Sequence, residues 1–126
     1  MTRTGHIQTA LVVGAGGAVG AAGRWLVGEA ISTDFPWATI VVNVLGCALL
    51  AAVLRPGATD RAIALLGTGF CGGLTTFSTL AVDVVTLSDD SRGLDAGWYL
   101  VLSMTLGLGA YVLVRGLAIQ RVGEAA

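Results

Sequence analysis

Apolar residues run along this chain in four long blocks, and the polar ones gather between them. Residues 8–28, 36–54, 62–82 and 96–114 hold a single charge, Arg24, while the remaining 14 charges lie in the short stretches outside. Each block approaches the ~20 residues that cross ~30 Å of hydrocarbon at 1.5 Å per residue. Lipid offers no partner to a backbone N–H or C=O, so each block must satisfy its own and reads as a helix. Strands of a membrane barrel would alternate apolar and polar positions over ~10 residues, a pattern these blocks lack. The boundaries carry helix-stop chemistry: Ser32-Thr33-Asp34-Phe35-Pro36, then Arg55-Pro56-Gly57, then a solvated turn at Ser88-Asp89-Asp90-Ser91-Arg92-Gly93. The expected architecture is an all-α membrane protein, one domain over 1–126 with four transmembrane helices. Connections this short place any function inside the bundle.

Composition narrows the class. The 126 residues are 55% hydrophobic with 19 glycines, and 12% are charged, about half the usual ~25%. That excludes a water-soluble enzyme, a disordered chain and a nucleic-acid binder with a basic face. All seven basic residues are arginines. With four spans, Arg3, Arg55, Arg61, Arg115 and Arg121 share one side, whereas Arg92 stands on the other with Arg24 near its edge. This bias predicts a multi-pass protein with both termini in the cytoplasm. Cys47 and Cys71 fall mid-span, where thiols act as small packing residues. His6 is isolated, so no transition-metal cluster is expected, and no acid–base pair or nucleophile triad supports catalysis.

Polar groups inside spans are costly and therefore informative. In the first, Gly16 and Gly20 permit close helix contact, and Arg24 follows four residues later on the same face. Arg24 either snorkels to the interface or adds positive potential at an anion entrance. The Gly14-Ala15-Gly16-Gly17-Ala18-Val19 run fails as a dinucleotide fingerprint, because Val19 replaces its third glycine. In the second span Thr39 and Asn43 lie one turn apart. Asn43 makes either an ordinary interhelical hydrogen bond or an amide donor to an anion. The third span packs Gly67, Gly69, Gly72 and Gly73 before Thr75-Thr76. That is a weak place in a helix, and a break there would free carbonyls able to bind a small cation. The fourth aligns Tyr99, Ser103 and Gly107 on one stripe, lining either a path or a helix seam.

Three segments together carry a family resemblance. Residues Gly16–Trp25 (GGAVGAAGRW), Trp37–Gly46 (WATIVVNVLG) and Gly69–Thr79 (GFCGGLTTFST) look like the CrcB/Fluc family of bacterial fluoride channels. The third segment is highly specific, the second moderately so, and the first weak alone. The resemblance implies a four-helix protomer with a broken third helix, paired antiparallel in a dimer that passively exports fluoride across the inner membrane. It further implies a structural sodium ion at the dimer interface, held by the backbone carbonyls of Gly72 and Thr75. Matched residue by residue, Asn43 and Phe77 are the pore-lining amide and aromatic. Ser78 and Thr79 are the hydroxyl pair, Tyr99 and Ser103 the fourth-helix polar track, and Arg24 the vestibule arginine. Thr39 joins the anion pathway one turn from Asn43.

The chemistry suits a small anion. A phenyl ring is positive at its edge, and a pore must replace fluoride's water with donors such as amides and hydroxyls. Two departures stand out: the family pattern has a second phenylalanine where this chain has Leu80, and a further hydroxyl where it has Gly107. Both remove pore-lining groups. A dual-topology homodimer also calls for balanced loop charge, which the arginine bias contradicts. The partner is therefore either a second copy or an oppositely inserted, related chain that supplies the missing aromatic. The rival readings are a non-conducting accessory subunit and a small multidrug-resistance transporter. The latter needs a carboxylate in its first helix, and residues 8–28 have none.

Overall fold

The computed structural model describes residues 3–124, with side chains over residues 5–120, and every regular element among the described residues is helical. Helix α1 is Arg3–Ala30 and α2 is Trp37–Val53. Helix α3 covers residues 60–74: an opening turn at Asp60–Ala62, a π-helical stretch at Ile63–Cys71, and a closing turn at Gly72–Leu74. Helix α4 is Phe77–Asp89 and α5 is Gly93–Glu124. Three continuous or nearly continuous spans are long and apolar enough to cross a membrane: Gly5–Ala30, Asp60–Asp89 and Gly93–Gln120. The second predicted span is apolar but only 17 residues long. The chain is a multi-pass membrane protein. Two arginines that set the predicted orientation, Arg3 and Arg121, have side chains outside the described residues.

The helix ends follow local chemistry. At Arg55-Pro56-Gly57-Ala58 the Ala58 amide donates to the Arg55 carbonyl at 3.2 Å and Gly57 takes φ +83°, the left-handed position that a type II turn reserves for glycine. Arg115 of α5 donates to the Leu54 carbonyl, covering an orphan acceptor at the end of α2. Thr59 caps α3 by accepting from the Ala62 amide at 3.2 Å. Helix α4 ends at Asp89, within the turn expected at 88–93. It closes with Ser91 at φ 60° and the Arg92 amide on the Leu87 carbonyl at 2.9 Å, a Schellman arrangement built on serine. Arg92 then pairs with Asp95 at 2.7 Å and donates to the Asp34 carbonyl at 3.2 Å, joining two loops at one end.

Two packings hold the bundle. Helix α5 lies against α2 and α4 around Ile40, Leu80, Leu87, Ala96 and Tyr99, with Phe35 edge-on to Tyr99 at 5.7 Å. Helix α1 lies against α3 through glycine. A β-carbon at Gly16 would strike the Leu65 carbonyl, one at Gly20 the Phe70 carbonyl, and one at Gly73 the Gly17 carbonyl. Backbone thus meets backbone along the seam, as small residues allow in membranes. The third span does break, at the threonines that follow its glycines. Its glycines do not break the helix; they stay helical and serve the seam. The break falls immediately after them, where Thr75 (ψ 157°) and Thr76 (φ −151°, ψ 126°) are extended.

Candidate anion and cation site at the helix break

Breaking a helix mid-bundle leaves amides and carbonyls that need partners, because an unpaired backbone group in an apolar surrounding is costly. Asn43 of α2 supplies most of the repair. Its Oδ1 accepts the Thr76 amide at 2.7 Å and its Nδ2 donates to the Thr76 carbonyl at 3.0 Å. Arg24 of α1 supplies another part, with Nη1 donating to the Thr75 carbonyl at 3.1 Å. Thr76 itself restarts the chain as α4. Its Oγ1 accepts the Thr79 amide at 3.1 Å and lies 3.0 Å from Thr79 Oγ1 and 3.2 Å from Ser78 Oγ. One buried threonine is therefore the N-cap and the hub of the hydroxyl cluster.

The carbonyls at the break include one with no helical donor. In a continuing helix the Thr76 amide would bond the Gly72 carbonyl four residues earlier, but Asn43 holds that amide. The Gly72 carbonyl is thus without its helical donor, while the Thr75 carbonyl beside it accepts from Arg24. Among the described residues no three His, Cys, Asp or Glu side chains gather to hold a metal. A neutral oxygen set fits a hard alkali cation, not a thiolate- or imidazole-seeking metal.

Several candidate residues share one feature: an open groove of about 880 Å³ between α2, α3 and α5, lined by Asn43, Gly72, Thr75, Phe77 and Ser103 among mainly apolar side chains. Phe77 is 74% exposed. Ser103 is buried, and its hydroxyl has no partner among the described residues. A β-carbon at Gly72 would meet nothing within 4 Å, so this surface is open within the protomer. Ser78 and Thr79 stand exposed on the first turn of α4, outside the lining of the groove, and Arg24 approaches the break from α1.

Thr39 and Tyr99 are elsewhere. Both are buried and both donate to one carboxylate oxygen, Asp83 Oδ2, at 2.9 and 2.7 Å. Three helices are tied there at a single atom. The hydroxyl hydrogens of Thr39 and Tyr99 point at Asp83 and are committed. Asp83 and Thr76 were absent from the sequence-based site. The third charge-free block stops at residue 82, one short of Asp83, whereas Leu80, Val84 and Leu87 continue a helical apolar stripe that carries Asp83 inside. Thr76 was readable as a threonine three residues before Thr79, the spacing of an N-cap.

The two departures also have structural places. Leu80 is 2% exposed and packs in the α2–α4–α5 core, where an aliphatic side chain is at home. At Gly107 a β-carbon would lie 3.5 Å from Cys47 Sγ, so the thiol of α2 occupies the space beside the missing side chain. Cys47 and Cys71 are free thiols.

Residues 11–116 match the family described as CrcB-like protein, Camphor Resistance (CrcB). The fluoride-specific ion channel FluC 2 of Rhodococcus jostii (strain RHA1) is 46% identical over 105 residues, covering 82% of this chain and 92% of that protein. The fluoride-specific ion channel FluC of Prosthecochloris aestuarii (strain DSM 271 / SK 413) is 41% identical over 125 residues, covering 93% and 96%. FluC 1 of Halobacterium salinarum (strain ATCC 700922 / JCM 11081 / NRC-1), named likewise, is 42% identical over 111 residues, covering 87% and 92%. Each is named as a channel and none as an enzyme.

Proposed function

Because the chain belongs to the CrcB family, we propose that it is a fluoride-specific ion channel of the bacterial inner membrane, exporting fluoride passively from the cytoplasm. The observation that carries this reading is the repaired helix break. It brings an amide, an exposed aromatic and hydroxyls to one groove, with a guanidinium reaching the same break from α1 and, among the described residues, no carboxylate hydrogen-bonded there. Fluoride must exchange water for such donors. Phe77 and Asn43 line the proposed path, with Ser103 along the groove. Ser78 and Thr79 act from the first turn of α4, where the helix dipole favours negative charge. Arg24 adds positive potential from α1. Thr39 and Tyr99 support the path through Asp83, holding α4 against α2 and α5.

The open groove holds polar groups that lipid cannot satisfy, the Ser103 hydroxyl and the backbone at Gly72 among them. That supports an antiparallel dimer, with either a second copy or a related chain across the groove. Gly72 and Thr75 carbonyls from each protomer would hold the sodium ion. Bound there, sodium supplies fixed positive charge between the protomers. The arginine bias supports cytoplasmic termini. The burial of Leu80 favours the related-chain partner, because this protomer offers no second aromatic at that position.

The deciding experiment is fluoride efflux from liposomes reconstituted with the purified chain, alone and with a related chain, read by a fluoride electrode. Efflux that exceeds chloride efflux and is lost in Phe77→Ala supports the reading. No fluoride efflux in either reconstitution overturns it. Full rescue of a fluoride-sensitive strain by this chain alone overturns the need for a second, different subunit.

A further inference from the structure

We propose that Arg24 is a built-in rival of the sodium ion for the Thr75 carbonyl, so that this chain assembles with a weakened and adjustable demand for sodium. The inference rests on the sodium reading above. Its basis is one contact and the seam that delivers it. Gly16 and Gly20 press α1 onto the backbone of α3, and Arg24, one turn beyond Gly20, is carried to the end of α3. There Nη1 donates to the Thr75 carbonyl at 3.1 Å, half-buried. Among the described residues the ion pair within 4 Å joins Arg92 to Asp95, so no carboxylate neutralises Arg24. Its partner is a neutral oxygen, and its positive charge stands undiminished beside the break.

Thr75 is also one of the two carbonyls on which the sodium reading depends. A carbonyl oxygen has two lone pairs and can accept twice, so the two cations are not mutually exclusive by shape. They are opposed by charge. A guanidinium and an alkali ion sharing one oxygen stand about 5 Å apart, and at an effective permittivity near 20 their repulsion lowers affinity on the order of a hundredfold. Gly72 escapes this conflict, since its carbonyl has lost its helical donor to Asn43 and receives no arginine. The two halves of the donor set are therefore unequal: Gly72 is free, and Thr75 is contested. Arginine is suited to this role because it cannot shed its charge, so the competition persists at any physiological pH.

The test uses the full-length assembled protein in detergent, without fluoride. Dimer fraction is followed by size exclusion, and thermal stability in parallel, as sodium chloride replaces N-methylglucamine chloride at constant ionic strength. Arg24→Gln keeps a hydrogen-bond donor and removes the charge; Arg24→Met serves if the glutamine variant does not assemble. The expected result is a sodium midpoint at least tenfold lower than in the wild type, while Arg24→Lys, which keeps the charge, stays within about threefold of it. A sodium response with equal midpoints in the wild type and the neutral variants overturns this inference and leaves the sodium reading standing. A shift in Arg24→Lys as large as in Arg24→Gln overturns the charge argument. Stability that ignores sodium in every protein overturns both.

Discussion

Asn43 offers one acceptor and one donor to the break, and the Thr76 backbone takes both. Replacing it with aspartate turns the donor into a second carboxylate oxygen facing the Thr76 carbonyl. Leaving that carbonyl without its donor costs about 1–3 kcal/mol, so Asn43→Asp is expected to lower the melting temperature of the dimer and cut fluoride efflux at least tenfold. Efflux and melting that both match the wild type would remove Asn43 from either role. Asp83 makes a second residue-scale case. Tyr99→Phe and Asp83→Asn should each destabilise the protein by about 1–2 kcal/mol, and together by less than their sum, because they share one bond. A double mutant whose loss equals the sum would place the two groups in separate networks. Much of this scale was legible in the sequence. Asn43, Thr75 and Phe77 all line the groove at the break, and polar residues such as Asn43 and Thr75 announce themselves in apolar spans. Asp83 did not, because counting charges by block hides a carboxylate just beyond the block's edge. The partner of Arg24 was equally hidden: a backbone carbonyl leaves no mark on a sequence.

At the scale of elements, the α1–α3 seam is the least forgiving contact in the protomer. A β-carbon at Gly20 would collide with the Phe70 carbonyl and approach the Leu74 amide to 2.8 Å, and neither atom belongs to a flexible side chain. Gly20→Ala is expected to prevent recovery of assembled protein, whereas Gly28→Ala, with nothing within 4 Å, should be neutral or slightly stabilising, since alanine favours the helix by ~0.5–1 kcal/mol. Parallel expression and size exclusion compare them, and equal yields would show that the seam can open. The sequence supplied the helices, most of their ends and the place of the break, but not what the glycines beside it do. Glycine clustering reads as helix weakness when propensity is considered alone. In the bundle the same glycines are held helical by the backbone they touch. The chain departs from the helix at Thr75 and Thr76, where Asn43, Arg24 and the Thr76 hydroxyl wait to receive the freed groups.

For the whole molecule, Gly72 separates folding from assembly. It borders the groove, and among the described residues nothing outside its own helical turn lies within 4 Å of the position a β-carbon would take. Gly72→Leu should therefore leave helicity by circular dichroism unchanged while shifting the protein from dimer to monomer on size exclusion. A stable, conducting dimer of this variant would exclude the groove as the interface at that point. Nothing in a single sequence discloses which apolar faces meet lipid and which meet protein, so this surface emerged only with the fold. The shortness of α2 has a consequence on the same scale. Its 17 residues extend about 26 Å, some 4 Å less than a typical hydrocarbon core. A bilayer meeting so short a segment thins locally. Helix α2 carries Asn43 along the groove, so the hydrophobic mismatch falls beside the proposed path. Thinner lipid there brings both water layers closer to the break and shortens the low-permittivity barrier facing a dehydrated anion. Acyl-chain length thereby becomes a determinant of transport in its own right.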